Sequence, residues 1–407
     1  MEKTGRLRWK RWLSLLFVVV LIAGYGAWAL KRPLLQLIPG QAVAQVQAKT
    51  PASTLAWPPA GQAAVGIAGS QIMQANGAQT PLPIASTAKL ITALSVLQKK
   101  PLKPGQQGPA ITLTDADVAL YNSYMARNGS VMRVVAGEQI SEYQTLQAIM
   151  LPSANNVADS LAIWAFGSLD NYAAYANKYV AQLGLHNTHI GTDASGLAPS
   201  TTSTAQDLVK LGEAAMQNPV LAQIAGQPTA TGLPIVNNIK NVNFLLGTDN
   251  IVGIKTGNTE EAGGVFVGAA KTTVNNKPVI IVTAVSASPS LFAAMKDSLN
   301  LIRSAQTNFK PVTVVNAGTV AGSYKVPWGG SIPATATGNL NTTSWAGSTV
   351  TANIYLKNIS ADSKAGQSAG SVRISKSALT DEKSVAVKLQ GAPTKPSAWW
   401  RLTHPLQ

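Results

Sequence analysis

The sequence predicts an α/β protein of the α+β kind, preceded by one membrane-crossing helix and followed by a small all-β domain. Three observations carry this. An uncharged run near the N-terminus lies between basic clusters. Helix and strand patterns then mix as far as about residue 310. Beyond it, short segments alternate apolar and polar residues with a period of two.

Lys3, Arg6, Arg8, Lys10 and Arg11 precede an uncharged run from Trp12 to Leu30, and Lys31 and Arg32 close it. As a helix, residues 13–30 would span about 27 Å, close to the thickness of a hydrocarbon core. The excess of basic residues before the run places the tail 1–12 in the cytoplasm. Trp12, Tyr25 and Trp28 sit near its ends, where amphipathic rings prefer the interface. A cleaved signal peptide is the rival reading, with Ala27-Trp28-Ala29 resembling a cleavage site. Either way, everything after about residue 33 is exported, and the membrane is a partner. Pro33, Pro39, Pro51, Pro58 and Pro59 mark residues 31–59 as a linker.

Residues 60–310 form the main domain. Val65 to Met73 reads as a strand and Ser86 to Leu97 as a helix with Leu90, Ile91, Leu94 and Leu97 on one face. Further helices are expected at Glu142–Met150, Asn155–Phe166, Leu169–Leu183 and Thr204–Met216. Strands are expected at Ile251–Thr256, Gly264–Ala270 and Val279–Val285, with Asn275-Asn276 turning the chain between the last two. Ser288-Pro289 should open a helix with the apolar stripe Phe292, Met295, Leu299 and Ile302. Residues 311–407 are β-rich: Val350, Ala352, Ile354 and Leu356 alternate with polar residues, as do Val385, Val387 and Leu389.

Composition narrows the chemistry. Cysteine is absent, which removes disulfides, thiolate metal sites and cysteine nucleophiles. The net charge of +15 is spread thinly, without the basic motif of a nucleic-acid binder. A membrane surface or an anionic wall polymer is the expected partner, and nucleic acid is not. The three histidines, His186, His189 and His404, stand in no nucleophile-elbow or His-Glu-x-x-His context, so no metal or cofactor is expected.

Ser86-Thr87-Ala88-Lys89 starts an amphipathic helix. Ser153-Ala154-Asn155 follows the apolar run Ala148 to Pro152. Lys255-Thr256-Gly257 ends a strand. Each string alone is common, but all three in this order and setting form the Ser-x-x-Lys, Ser-x-Asn and Lys-Thr-Gly set of acyl-transfer enzymes. Positions i and i+3 of a helix share a face, so Ser86 Oγ and Lys89 Nζ can meet. Serine needs a base to become a nucleophile. Lysine becomes one when burial and a second cation, here Lys255, lower its pKa. Ser153 then suits a proton relay, Asn155 suits positioning of the substrate amide, and Lys255 and Thr256 suit binding of a terminal carboxylate. The N–H groups of Ser86 and Asn258, which follows Gly257, would form an oxyanion hole.

On these motifs, together with Pro83 to Leu90, Leu151 to Asn155, Asp193-Ala194-Ser195-Gly196-Leu197, Gly253 to Gly257 and Ala262-Gly263, the chain resembles the low-molecular-mass D-alanyl-D-alanine carboxypeptidases. These are serine peptidases of the penicillin-binding class. The resemblance covers about residues 60 to 310. It implies a transpeptidase-like antiparallel sheet flanked by helices, with Ser86 at the cleft. It also implies peptidoglycan stem peptides as substrate and β-lactams as inhibitors. Two positions depart from the family: Asn156 stands where an acidic residue is frequent, and Val252 where Asp is. A β-lactamase would need a water-activating carboxylate, and no clear Glu-x-x-x-Asn loop lies between Asn155 and Lys255. A D,D-endopeptidase would carry the same motifs. A non-catalytic wall-binding or β-lactam-sensing protein would keep the fold, but the three intact motifs speak against it.

Overall fold

The structure is a computed structural model that describes residues 3–40, 44–52 and 54–405, with side chains from Trp9 onward. Met1 and Glu2 of the expected tail lie outside the described residues. Two compact units are formed, one from residues 51–310 with 345–347, the other from 1–50, 311–344 and 348–407.

The second unit begins with α1 (Lys3–Lys31), so the helix continues back through the basic tail. Its stretch Trp9–Lys31 is long and apolar enough to cross a membrane. Leu13, Phe17, Leu21 and Trp28 are all exposed. An uncharged helix without a polar face has no protein core of its own to enter.

Residues 31–59, whose prolines suggested a plain linker, contain a strand. β1 (Gln45–Lys49) pairs antiparallel with a strand near residue 350, Val46 facing Ala352. Val46 and Ala48 turn inward while Gln45, Gln47 and Lys49 face solvent. That is a period-two pattern, only five residues long and hidden between prolines.

The first unit is built on β2 (Gln62–Ile67) and β3 (Met73–Asn76), where the sequence suggested one strand. The helices α2 (Lys89–Lys99), α3 (Asp115–Ala126), α4 (Glu142–Met150), α5 (Asn155–Phe166), α6 (Leu169–Gln182), α7 (Ala205–Gln217) and α8 (Pro219–Ala225) follow. Then come β4 (Ile251–Thr259), β5 (Gly263–Val274), β6 (Lys277–Ser288) and α9 (Leu291–Gln306). The sheet order is β4-β5-β6-β2-β3, antiparallel throughout. β4 is therefore an edge strand, and its free edge can meet another chain. Asn275 and Asn276, both left-handed, make the two-residue turn that joins β5 to β6.

α2 is buried on every side from Lys89 to Leu97, so its apolar face is wider than the stripe expected. Such a helix belongs in the centre of a core. In α9 the stripe is displaced. Ser290, not Ser288, caps the helix, and its Oγ accepts from the Ala293 N–H. Ala294, Met295, Leu301 and Ile302 are buried, whereas Phe292 is 65% exposed and stacks on exposed Phe244.

Further strands of the second unit are β7 (Val320–Lys325), β8 (Ser331–Ala336), β9 (Thr349–Leu356), β10 (Ser368–Ile374) and β11 (Lys383–Leu389). Its seven-stranded sheet runs Pro39–Gly40, β7, β8, β11, β10, β9, β1. Ala352, Val387 and Leu389 are buried as the alternation requires. A short helix, α10 (Ala398–Thr403), packs on the end of α1: Tyr25 Oη donates to Leu402 O at 2.6 Å and Arg401 Nη1 to Leu30 O at 2.8 Å. Trp400 lies edge-on to Trp328 and stacks on His404, while Trp399 is 75% exposed.

Candidate active site

Ser86 lies in a turn of 3-10 helix, Ala85–Ala88, that leads into α2. One turn on, buried Lys89 points back at it: Nζ and Ser86 Oγ are 2.8 Å apart. Ser86 itself is half-buried, so a substrate can reach it. Ser153 and Asn155 come from the loop before α5 and its first turn, and Lys255 from β4.

Lys89 Nζ has two further partners, Asn155 Oδ1 at 2.6 Å and the Ser195 carbonyl at 2.8 Å. Both can only accept. An ammonium meets this triangle with one N–H to each oxygen; a neutral amine meets it with two N–H bonds to the two acceptors and its lone pair toward the Ser86 hydroxyl proton. Burial, and then the charge of Lys255, hold the Lys89 pKa well below its usual value, while Asp193 and Asp159 pull it upward.

Lys255 Nζ donates to Ser153 Oγ at 3.0 Å and to the Thr256 carbonyl at 3.1 Å. Burial pushes its pKa down to about 7. A hydroxyl both donates and accepts, so Ser153 can pass a proton between Lys255 and a bound group.

Two backbone features set this arrangement. Ala85 and Ser153 are in the left-handed region, φ 46° and 68°, a conformation costing about 1–3 kcal/mol for a residue with a side chain. Gly257 lies against the nucleophile turn: a Cβ there would sit 3.1 Å from Ala85 Cβ, Ile84 O and Ser86 N. This explains the glycine after Lys255-Thr256. Thr256 is buried in β4, and Asn258, opposite Gly264, is exposed at its end.

The structure thus brings together Ser86, Lys89, Ser153, Asn155 and Lys255, with Gly257 packed on the same turn. Asn155, expected to meet the substrate amide, also accepts from Lys89. His186 and His189 are exposed and have no bond to these residues. Asn156 explains its own departure from the family: Oδ1 accepts from Met132 N–H at 3.0 Å and Nδ2 donates to Met132 O at 2.9 Å. A carboxylate could serve only the first. Val252 falls at a bulge where the β4–β5 register shifts.

Sequence reasoning assigned Ser195 no role, although the run Asp193 to Leu197 stood out. Asp193 folds this loop: Oδ1 accepts from the Ser195 N–H at 2.7 Å and Oδ2 from the Ala198 N–H at 2.7 Å. Gly196, φ +75°, presses on Ala85 O so closely that a Cβ would lie 2.1 Å away. The loop therefore needs a glycine to deliver the Ser195 carbonyl.

Comparison with known proteins agrees with this geometry. The profile of the D-alanyl-D-alanine carboxypeptidase family matches residues 60–287. A D-alanyl-D-alanine endopeptidase of Escherichia coli K12 is 31% identical over 253 residues, 60% of this chain and 76% of that protein. The D-alanyl-D-alanine carboxypeptidase DacB2 of Mycobacterium tuberculosis is 34% identical over 206 residues, 49% of this chain and 66% of that protein. The match to a Pseudomonas aeruginosa D-alanyl-D-alanine endopeptidase likewise spans 66% of that protein. Among solved structures, the Streptomyces K15 DD-transpeptidase superposes with a TM-score of 0.54 at 25% identity, covering 62% of this chain and 98% of its own. Penicillin-binding protein 5 of Haemophilus influenzae shares the fold with a TM-score of 0.57 at 22% identity, covering 85% of this chain and 99% of its own. From the motifs, the cleft they build and the matched profile, this chain belongs to the D-alanyl-D-alanine carboxypeptidase family of serine peptidases.

Proposed function

We propose that the protein removes the terminal D-alanine from peptidoglycan stem peptides through an acyl-enzyme on Ser86. The observation that carries this is the triangle around Lys89, which holds a buried amine of lowered pKa 2.8 Å from Ser86 Oγ. Lys89 takes the Ser86 proton as Oγ attacks the carbonyl of the penultimate D-alanine. The N–H groups of Ser86 and Asn258 receive the developing oxyanion. As the C–N bond breaks, Ser153 hands a proton to the leaving amine. Lys255 and Thr256 hold the terminal carboxylate, Gly257 lets β4 lie close, and the amino end of Asn155 holds the substrate amide. Water then releases the shortened peptide. β-Lactams acylate the same serine.

α1 serves as a single-pass anchor that leaves the rest of the chain on the outer face of the membrane. The basic β-rich unit, with exposed Trp399 beside α1, contacts the membrane surface or an anionic wall polymer. The detergent-solubilised full chain should release free D-alanine from a synthetic pentapeptide. Two relatives are endopeptidases, which makes a cross-linked muropeptide dimer the second substrate to assay. Cleavage of the dimer without D-alanine release would replace the carboxypeptidase by an endopeptidase.

A further inference from the structure

Behind Lys89 lies a buried carboxylate that the reaction above does not use. Asp159, on the inward face of α5, is 3% exposed. Its Oδ1 accepts from the Ala194 N–H at 2.9 Å and its Oδ2 from Tyr124 Oη of α3 at 2.6 Å. Tyr124 is 2% exposed, and its Oη lies 3.3 Å from Ser195 Oγ, which donates to Asp193 Oδ1 at 2.9 Å. The Ala194 carbonyl takes a bond from Thr92 of α2 at 2.6 Å. The dipeptide Ala194-Ser195 is therefore gripped from several helices just where its next carbonyl meets Lys89.

We propose that Asp159, with Tyr124, is a positioning residue for acylation: it fixes the Ser195 carbonyl that orients Lys89 and supplies a buried negative charge for the cation Lys89 becomes. This deepens the proposed function and rests on it. Holding two helices together would need only a neutral hydrogen-bonding side chain, since an ion in a low-dielectric interior is costly. The charge gains a purpose once Lys89 takes the Ser86 proton. The ionisable groups around Lys89 are then Lys255, which opposes that cation, and Asp193 and Asp159, which favour it. Tyr124 and Tyr172 complete the surroundings as neutral donors.

The test is the rate of acylation by a fluorescent penicillin as a function of pH, with folding followed by thermal denaturation. Asp159→Ala removes tether and charge and should slow acylation roughly 10- to 100-fold, the scale of a catalytic group misplaced by about 1 Å. Asp159→Asn keeps an oxygen for Ala194 but no charge. It should recover part of the rate while the acid limb moves to lower pH, because an anion that raises the Lys89 pKa is gone. Tyr124→Phe should cost a few-fold and leave the limb in place. If Asp159→Ala does not fold, Asp159→Asn decides. Wild-type rates and an unmoved limb in Asp159→Asn, with only the melting temperature lowered, would overturn the proposal. Failure of the underlying reading looks different, because the wild type itself would then not be acylated.

Discussion

On the helical wall of the cleft, Lys89 reaches three partners held by three separate segments: Ser86, Asn155 and the Ser195 carbonyl. On the sheet wall, Lys255 reaches one hydroxyl and the carbonyl of the next residue. Both amines are buried and both have lowered pKa values. They differ in what surrounds them. Lys89, with three oxygens around it and one of them the nucleophile, suits the role of base proposed for it. Lys255, as an ammonium, has one N–H beyond its two bonds, which suits the anion-binding role proposed for it. In the proposed reaction, identical side chains thus take opposite roles through the partners placed around them.

Lys89→Arg should break the comparison most severely. Guanidinium does not deprotonate at working pH, so acylation should fall by about 10³-fold or more, the scale of a lost general base. The variant should still fold, as circular dichroism would show. Near-normal acylation would mean that another group takes the proton.

Lys255→Ala should cost less, roughly 10- to 100-fold in kcat/KM for a substrate with a terminal carboxylate, the value of one charge-assisted hydrogen bond. A substrate amidated at that carboxylate should lose little more in the variant. The pH profile sharpens the same point. Lys255 must be protonated to bind the carboxylate, so kcat/KM should decline as pH rises through about 7. A bound carboxylate favours the cation, so the decline in kcat should come at higher pH. Coincident limbs would remove Lys255 from carboxylate binding.

A smaller effect concerns a buried acid that neither wall uses. Both carboxylate oxygens of Glu142 are buried without a hydrogen-bond partner, and burial pushes its pKa up to about 7. A raised acid stabilises the fold below its unfolded value and loses that contribution as pH rises through the folded one. Glu142→Gln should reduce the fall in melting temperature between pH 5 and 9 by a few degrees, roughly 2–4 °C. Glu213, also near 7, keeps part of the decline. An unchanged slope would show that Glu142 does not titrate in this range.

The motifs and much of the scaffold were legible in the sequence. α4 and α5 fall where the sequence pattern put them. The Ser-x-x-Lys spacing forecast the contact of Ser86 with Lys89. Tertiary context hid the rest. α3 buries only Tyr124, so it lacks an apolar stripe, although its Thr114–Asp117 capping box was readable. β1 was too short to stand out among prolines. Phe292 fitted an apolar stripe by spacing yet points outward, because α9 meets the sheet through a neighbouring face. The Ser195 carbonyl and Asp159 could not be found by residue type: a backbone oxygen has no sequence signature, and Asp159 acts through a loop 35 residues away.

Every role assigned around the cleft depends on Ser86 being the acylated nucleophile. The most direct test is peptide mass spectrometry of the full chain after reaction with a penicillin. The penicilloyl mass should appear on the peptide carrying Ser86 and vanish in Ser86→Ala. A label on any other serine, or normal labelling of Ser86→Ala, would contradict it.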